Sequence, residues 1–127
     1  MTLSSASLVA FVATAKVPAA LGFYRDVLGL RLVADEPFAL VFDAGGTMLR
    51  VTKVKETTVA PYTVLGWRVA DIAMAVRELA GRGVHFQRYD GMQQDESAIW
   101  NSPSGARVAW FKDPDGNVLS LTQHEAQ

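Results

Sequence analysis

A chain of 127 residues, half of them apolar and a fifth charged, has the size of one domain and too much apolar content for a disordered polymer. Its net charge is -1 and no two basic residues are adjacent, which excludes the basic stripe that tracks phosphates, so nucleic acid is not an expected partner. The absence of cysteine removes disulfides, thiolate metal sites and cysteine nucleophiles together, and is compatible with a reducing, cytoplasmic setting.

The first apolar run, Leu8 to Ala15, ends in Ala13-Thr14-Ala15 and imitates a cleavage site, but no Lys or Arg precedes it. It is also far too short to span a bilayer, so it is read as a strand over Leu8–Thr14 and no membrane partner is expected. Val17, Leu21, Tyr24 and Leu28 then recur at helical spacing, with Pro18 suited to the first turn and Gly29 to the end. Strands are predicted at Arg31–Ala34, Phe38–Asp43 and Met48–Lys53, the last two separated by Gly45-Gly46. A further strand, Tyr62–Val69, leads to a second helix over Asp71–Gly81, in which Ile72, Val76 and Leu79 form one face. Asp71 is its N-cap and Gly81 or Gly83 its end. The remaining strands are His85–Tyr89, Ala98–Asn101, Arg107–Lys112 and Val118–Gln123, punctuated by Ser102-Pro103-Ser104-Gly105 and Asp113-Pro114-Asp115-Gly116.

Shifting the chain by 55 residues lays Val9 on Val64, Val12 on Trp67, Val17 on Ile72 and Leu21 on Val76. A shift of 70 lays Gly46 to Val51 on Gly116 to Leu121. Residues 7–54 and 62–123 therefore share one plan of strand, helix and three strands, with longer loops in the second copy. Neither sheet can bury its apolar face without a helix.

The string Pro18 to Leu30, with its Phe23-Tyr24 pair and Leu28-Gly29 helix end, resembles the first-helix signature of the vicinal oxygen chelate superfamily, the glyoxalase/bleomycin-resistance class. Trp110-Phe111-Lys112-Asp113-Pro114-Asp115-Gly116-Asn117 resembles its last-hairpin signature. Read structurally, Phe23 and Tyr24 are core residues and Asp-Pro-Asp-Gly-Asn is a good turn. The resemblance implies one α+β domain over residues 1–127, with two tandem βαβββ units forming a cup-shaped mixed β-sheet and helices packed outside. It also implies a homodimer with small-molecule crevices.

Metal-dependent members of that class bind a divalent ion through four His, Glu or Gln side chains inside the cup. Carried over, those positions are Val9, Arg50, Val64 and Ser120. Valine has no lone pair, arginine repels a cation and serine is a weak ligand, so neither a metal nor another cofactor is expected. His85 and His124 have only Glu96 or Glu125 as conceivable companions, short of a ligand set.

Strand alternation from those positions puts Val9, Phe11, Ala13, Met48, Arg50, Thr52, Tyr62, Val64, Gly66, Arg68, Val118, Ser120 and Thr122 on the inner face. The opposite face, with Val12, Leu49, Val51, Trp67, Val69, Leu119 and Leu121, is uniformly apolar and belongs beneath the helices. Arg50 and Arg68 can each grip an anion or sit in an ordinary ion pair. Phe11 and Tyr62, with Trp100 and Trp110, can stack a planar ligand, or the tryptophans can serve packing. The ligand-binding set is thus Phe11, Arg50, Tyr62, Arg68, Trp100, Trp110 and Ser120.

Two functions fit these residues. One is metal-free binding of a small, partly aromatic or anionic molecule. The other is a metal-independent lyase- or isomerase-like enzyme, with Arg50 or Arg68 stabilising an oxyanion while Tyr62, Asp43 or His85 moves a proton. No nucleophile–base pair or carboxylate dyad at recognisable spacing supports the second. A purely structural role, with the aromatics at a dimer seam, is the third option.

Overall fold

Alternating strand patterns and left-handed turns build this chain as two strand-rich stretches, each closed by pairing its first strand with its last. The computed structural model describes residues 2–125 and divides into two compact units between Thr58 and Val59. No helix among the described residues is long and apolar enough to cross a membrane.

The first unit begins with one helical turn at Leu3–Ser5, which no sequence signal announces. It then runs β1 (Val9–Thr14), α1 (Val17–Leu21), β2 (Arg31–Asp35), β3 (Ala39–Ala44) and β4 (Thr47–Lys53). Its sheet has the order β1-β4-β3-β2, with β1 parallel to β4 and the other pairs antiparallel. The parallel pair requires a crossover, which α1 supplies. Pro18 stands in the first turn of α1 as expected. The predicted helix to Leu28 is present but widens into a π-helical turn over Gly22–Val27, where the Leu28 N–H donates to the Phe23 carbonyl at 2.9 Å. Gly29, at φ 75°, ends it, and Leu30 N–H returns to the Tyr24 carbonyl. Tyr24 is fully buried, edge-on to Phe23 at 5.2 Å and 5.9 Å from Phe42. Leu40, Phe42, Leu49 and Val51 complete this core, each such side chain contributing about 1.5–3 kcal/mol on burial.

The second unit repeats the plan with β5 (Thr63–Arg68), α2 (Ile72–Gly81), β6 (Trp100–Asn101), β7 (Arg107–Lys112) and β8 (Val118–Gln123), in sheet order β5-β8-β7-β6. Asp71 caps α2 by accepting the Met74 N–H at 3.1 Å, and Gln123 Oε1 accepts the Ile72 N–H at 2.9 Å. Ile72 and Val76 are buried, and α2 packs on β7 and β8. Gly83, not Gly81, takes the left-handed position after it. The β7–β8 turn is held by buried Asp113, whose Oδ1 accepts the N–H groups of Asp115 and Asn117 and whose Oδ2 accepts the Asn117 amide.

Three expectations need correction. His85–Tyr89 is not a strand: its backbone is irregular, with the Gln87 N–H donated to the Trp110 carbonyl and Gln94 satisfying the neighbouring groups. The Ala98–Asn101 strand shrinks to Trp100–Asn101 because Ala98 sits at φ 64°, outside extended backbone. The register of β5 slips between Thr63 and Leu65, so the alternation that groups Tyr62 and Val64 with Gly66 is broken there.

Gly66 pairs with Ser120, and a Cβ on Gly66 would stand 2.7 Å from Ser120 Oγ. Gly66→Ala should therefore lower stability by about 1–3 kcal/mol, measured by urea denaturation. Gly66→Ala/Ser120→Ala should regain most of it, because the next nearest atom, the Ser120 carbonyl oxygen, lies at an ordinary 3.5 Å.

Candidate functional site

In the first unit, the parallel register sets Phe11 beside Arg50, with Val41 on Arg50's other flank. Phe11 is 61% exposed, and Val9 and Met48, paired with each other one step along, are exposed as well. Arg50 is half-buried and its Nη2 lies 3.1 Å from Glu36 Oε1. This is the ion-pair alternative for Arg50, in a pair exposed enough to be worth at most about 1 kcal/mol.

In the second unit, neighbouring strands place Gly66, Ser120 and Trp110 in one row, and Arg68, Thr122, Val108 and Trp100 in the next on the same face. Four of the anticipated residues, Arg68, Trp100, Trp110 and Ser120, thus share one sheet face. The ring centroids of Trp100 and Trp110 are 6.0 Å apart. Tyr89 meets Trp110 edge-on at 5.6 Å and extends the aromatic surface. Sequence reading missed it because the pairing that fixes its orientation comes from an irregular segment. Trp110 is itself anchored, its Nε1 donating to Thr63 Oγ1 at 3.1 Å. Arg68 is exposed, and among the described residues its guanidinium has no hydrogen-bond or ion-pair partner. Ser120 is 7% exposed, so it contributes the floor of this face. Tyr62 lies just outside β5 and is 67% exposed.

From β5 to β7 is two strand spacings, roughly 10 Å. Arg68 and the Trp100–Trp110 pair can therefore address opposite ends of a molecule of one or two rings, with an anionic group at the arginine and the rings at the tryptophans.

Val9, Arg50, Val64 and Ser120, the positions that the sequence resemblance marks for a metal, offer no carboxylate or imidazole, and among the described residues no group of three or more His, Asp or Glu side chains could hold a metal ion. The donor set does not fit a divalent cation. Asp43, considered as a proton carrier, is committed elsewhere. Its Oδ1 accepts the Gly46 N–H at 2.8 Å, and Arg31 Nη2 lies 3.1 Å from Oδ2. The Gly46 bond first and Arg31 second hold its carboxyl below the usual carboxylate range, so it stays ionised near neutrality. His85 and Glu96 line a separate cleft of the second unit.

The family model described as Glyoxalase/Bleomycin resistance protein/Dioxygenase superfamily matches residues 7–121. No curated protein matches in sequence. Among solved structures, the bleomycin resistance determinant encoded on the transposon Tn5 aligns at 19% identity and TM-score 0.75, over 96% of this chain and 100% of that one. A lactoylglutathione lyase from Agrobacterium tumefaciens aligns at 19% identity and TM-score 0.73, over 94% and 93%. A superfamily member from Sphaerobacter thermophilus DSM 20745 aligns at 24% identity and TM-score 0.70, over 93% and 98%. At these identities the likeness is one of fold.

Asp43 gives a pH prediction. A carboxyl whose folded pKa is depressed stabilises the fold fully above its unfolded value and loses that contribution as pH falls through the folded one. Asp43→Asn should lower the urea midpoint at pH 7, and the gap from wild type should close below about pH 4. Equal midpoints at pH 7 would show that the turn does not depend on the charge.

Proposed function

Because the chain belongs to the Glyoxalase/Bleomycin resistance protein/Dioxygenase superfamily, we propose that it binds a small, partly aromatic anion on the β5–β8 sheet face, without metal, and does so in the cytoplasm as a homodimer. The observation that carries this reading is the unpartnered, exposed Arg68 on the same face as the Tyr89–Trp110–Trp100 cluster. A sheet face that combines aromatic surface with one free cation has the make-up of a small-molecule site. The anion takes two parallel hydrogen bonds from the guanidinium and the ring stacks on indole, while Gly66 leaves the floor between them low.

The homodimer is supported by the first unit's face. Val9, Phe11 and Met48 are exposed together on β1 and β4, and a contiguous apolar face of this kind suits coverage by a second copy. Dimer formation would bury Phe11 and further desolvate the Arg50–Glu36 pair.

Two outcomes follow. Titration with 1-naphthoate should quench tryptophan fluorescence saturably, and Arg68→Ala should weaken binding about tenfold, the loss of a charge-assisted contact. Unchanged affinity in Arg68→Ala would overturn the site. In sedimentation velocity, the wild type should run as a dimer and Phe11→Asp as a monomer, since a carboxylate cannot be buried there unpaired. A monomeric wild type at all concentrations would overturn the dimer.

A further inference from the structure

The two units differ most between the helix and the strand that follows it, where the second has a long irregular stretch from α2 to β6 and β6 is only two residues long. That stretch and α2 enclose an open cleft of about 330 Å³, within the size range of small-ligand pockets. Its apolar lining is Val76, Ala80, Val84 and Phe86. Around it stand Arg77, His85 and Arg88, with Glu96 the one carboxylate.

The wall of the cleft is built, not slack. Gln94 donates its amide to the carbonyls of Gln87 and Ala98 and accepts the Tyr89 N–H. Asp95 Oδ1 accepts the N–H groups of Ser97 and Ile99, at 2.8 and 2.9 Å. Arg88 Nη2 donates to the carbonyls of Asp95 and Glu96, at 2.9 and 3.0 Å. These bonds hold Ala98, a buried residue lining the cleft, at φ 64°. A Cβ-bearing residue adopts that left-handed backbone only where its surroundings impose it, and such positions gather at ligand sites.

The charges around the cleft are unequally committed. Arg88 is spent on the wall, although its positive charge remains beside the opening. The Arg77 guanidinium and the His85 imidazole have no hydrogen-bond or ion-pair partner among the described residues. Among the lining residues, two guanidinium charges against one carboxylate leave an excess of one positive charge beside the apolar lining, and Glu96 disfavours a second negative group.

We propose that this cleft is a second binding site, distinct from the β5–β8 face, for a small amphiphilic monocarboxylate. The carboxylate lies between Arg77 and His85, and the apolar body lies on Val76, Ala80, Val84 and Phe86. Arg77 supplies the bidentate contact, His85 an N–H donor and Arg88 the field.

Residue-resolved amide NMR of the full chain tests this with hexanoate, using 1-hexanol as the same body without charge and acetate as the same charge without body. Hexanoate should shift the amides of Arg77, His85 and Ser97 saturably, and the two controls should bind at least about tenfold more weakly. Arg77→Ala should weaken hexanoate about tenfold while keeping the fold, since Arg77 is exposed and alanine is the best helix former. Ala80→Trp, which fills the cleft from a second exposed position, should abolish the shifts. Hexanol binding as well as hexanoate, equal affinity in Arg77→Ala, or shifts confined to Arg68 and Trp110 would overturn the proposal, the last without touching the site on the sheet face.

Discussion

The parallel pairing of first and last strand in each unit decides which side chains can act together. Phe11 stands beside Arg50 and Gly66 beside Ser120 only because β1 runs alongside β4, and β5 alongside β8, in one particular register. A slip of one residue in either pair would send Arg50 or Ser120 to the helix side and turn Leu49 or Leu119, both essentially fully buried, toward water. The apolar faces thus pin the registers, and the registers place the polar residues. Neither pairing is local in sequence, and each requires a crossover between its two strands.

Given equivalent registers, the two units diverge through side-chain volume. Arg50 is flanked by Val41 and Phe11, whereas its counterpart Ser120 is flanked by Trp110 and Gly66. The second arrangement trades a long cation for a short hydroxyl at the centre, moves bulk to one side and removes it from the other. A large ring at Trp110 and no side chain at Gly66 make a step in the sheet surface, and that step is where the proposed flat ligand would lie. The Ser120 hydroxyl fills the space that a Cβ on Gly66 would need, so the two positions constrain each other.

Much of this was legible in the chain because it rests on local chemistry. Asp71 caps α2, Gly29 ends the first helix, and β7 and β8 have the bounds that their alternation predicts. The shared register positions of Arg50 and Ser120 followed from the 70-residue shift. What was not legible depends on bonds between groups distant from the pattern. The His85–Tyr89 segment has strand-like composition, yet the Gln94 side chain takes up the Tyr89 N–H and the Gln87 carbonyl in place of a ladder, and no periodicity encodes that. The slip at Val64 is likewise a one-residue accommodation invisible to alternation. The site was legible as a set of residue types. Tyr89 was absent from it because an aromatic in an irregular segment carries no face assignment.

The two arginines show why position on a face is insufficient to assign a role. Arg50 and Arg68 read alike in sequence, each on a strand with its side chain on the less apolar face. Glu36, at the end of β2, reaches Arg50 and leaves it half-buried in an ion pair. An incoming anion must displace that carboxylate, so binding at Arg50 exchanges one charged contact for another and gains little. No described acidic group engages Arg68, and an anion there exchanges only water. In the proposed binding, selectivity between the two cations would therefore come from Glu36, a residue that touches no proposed ligand, and the aromatic cluster lies in the same unit as the cation left free.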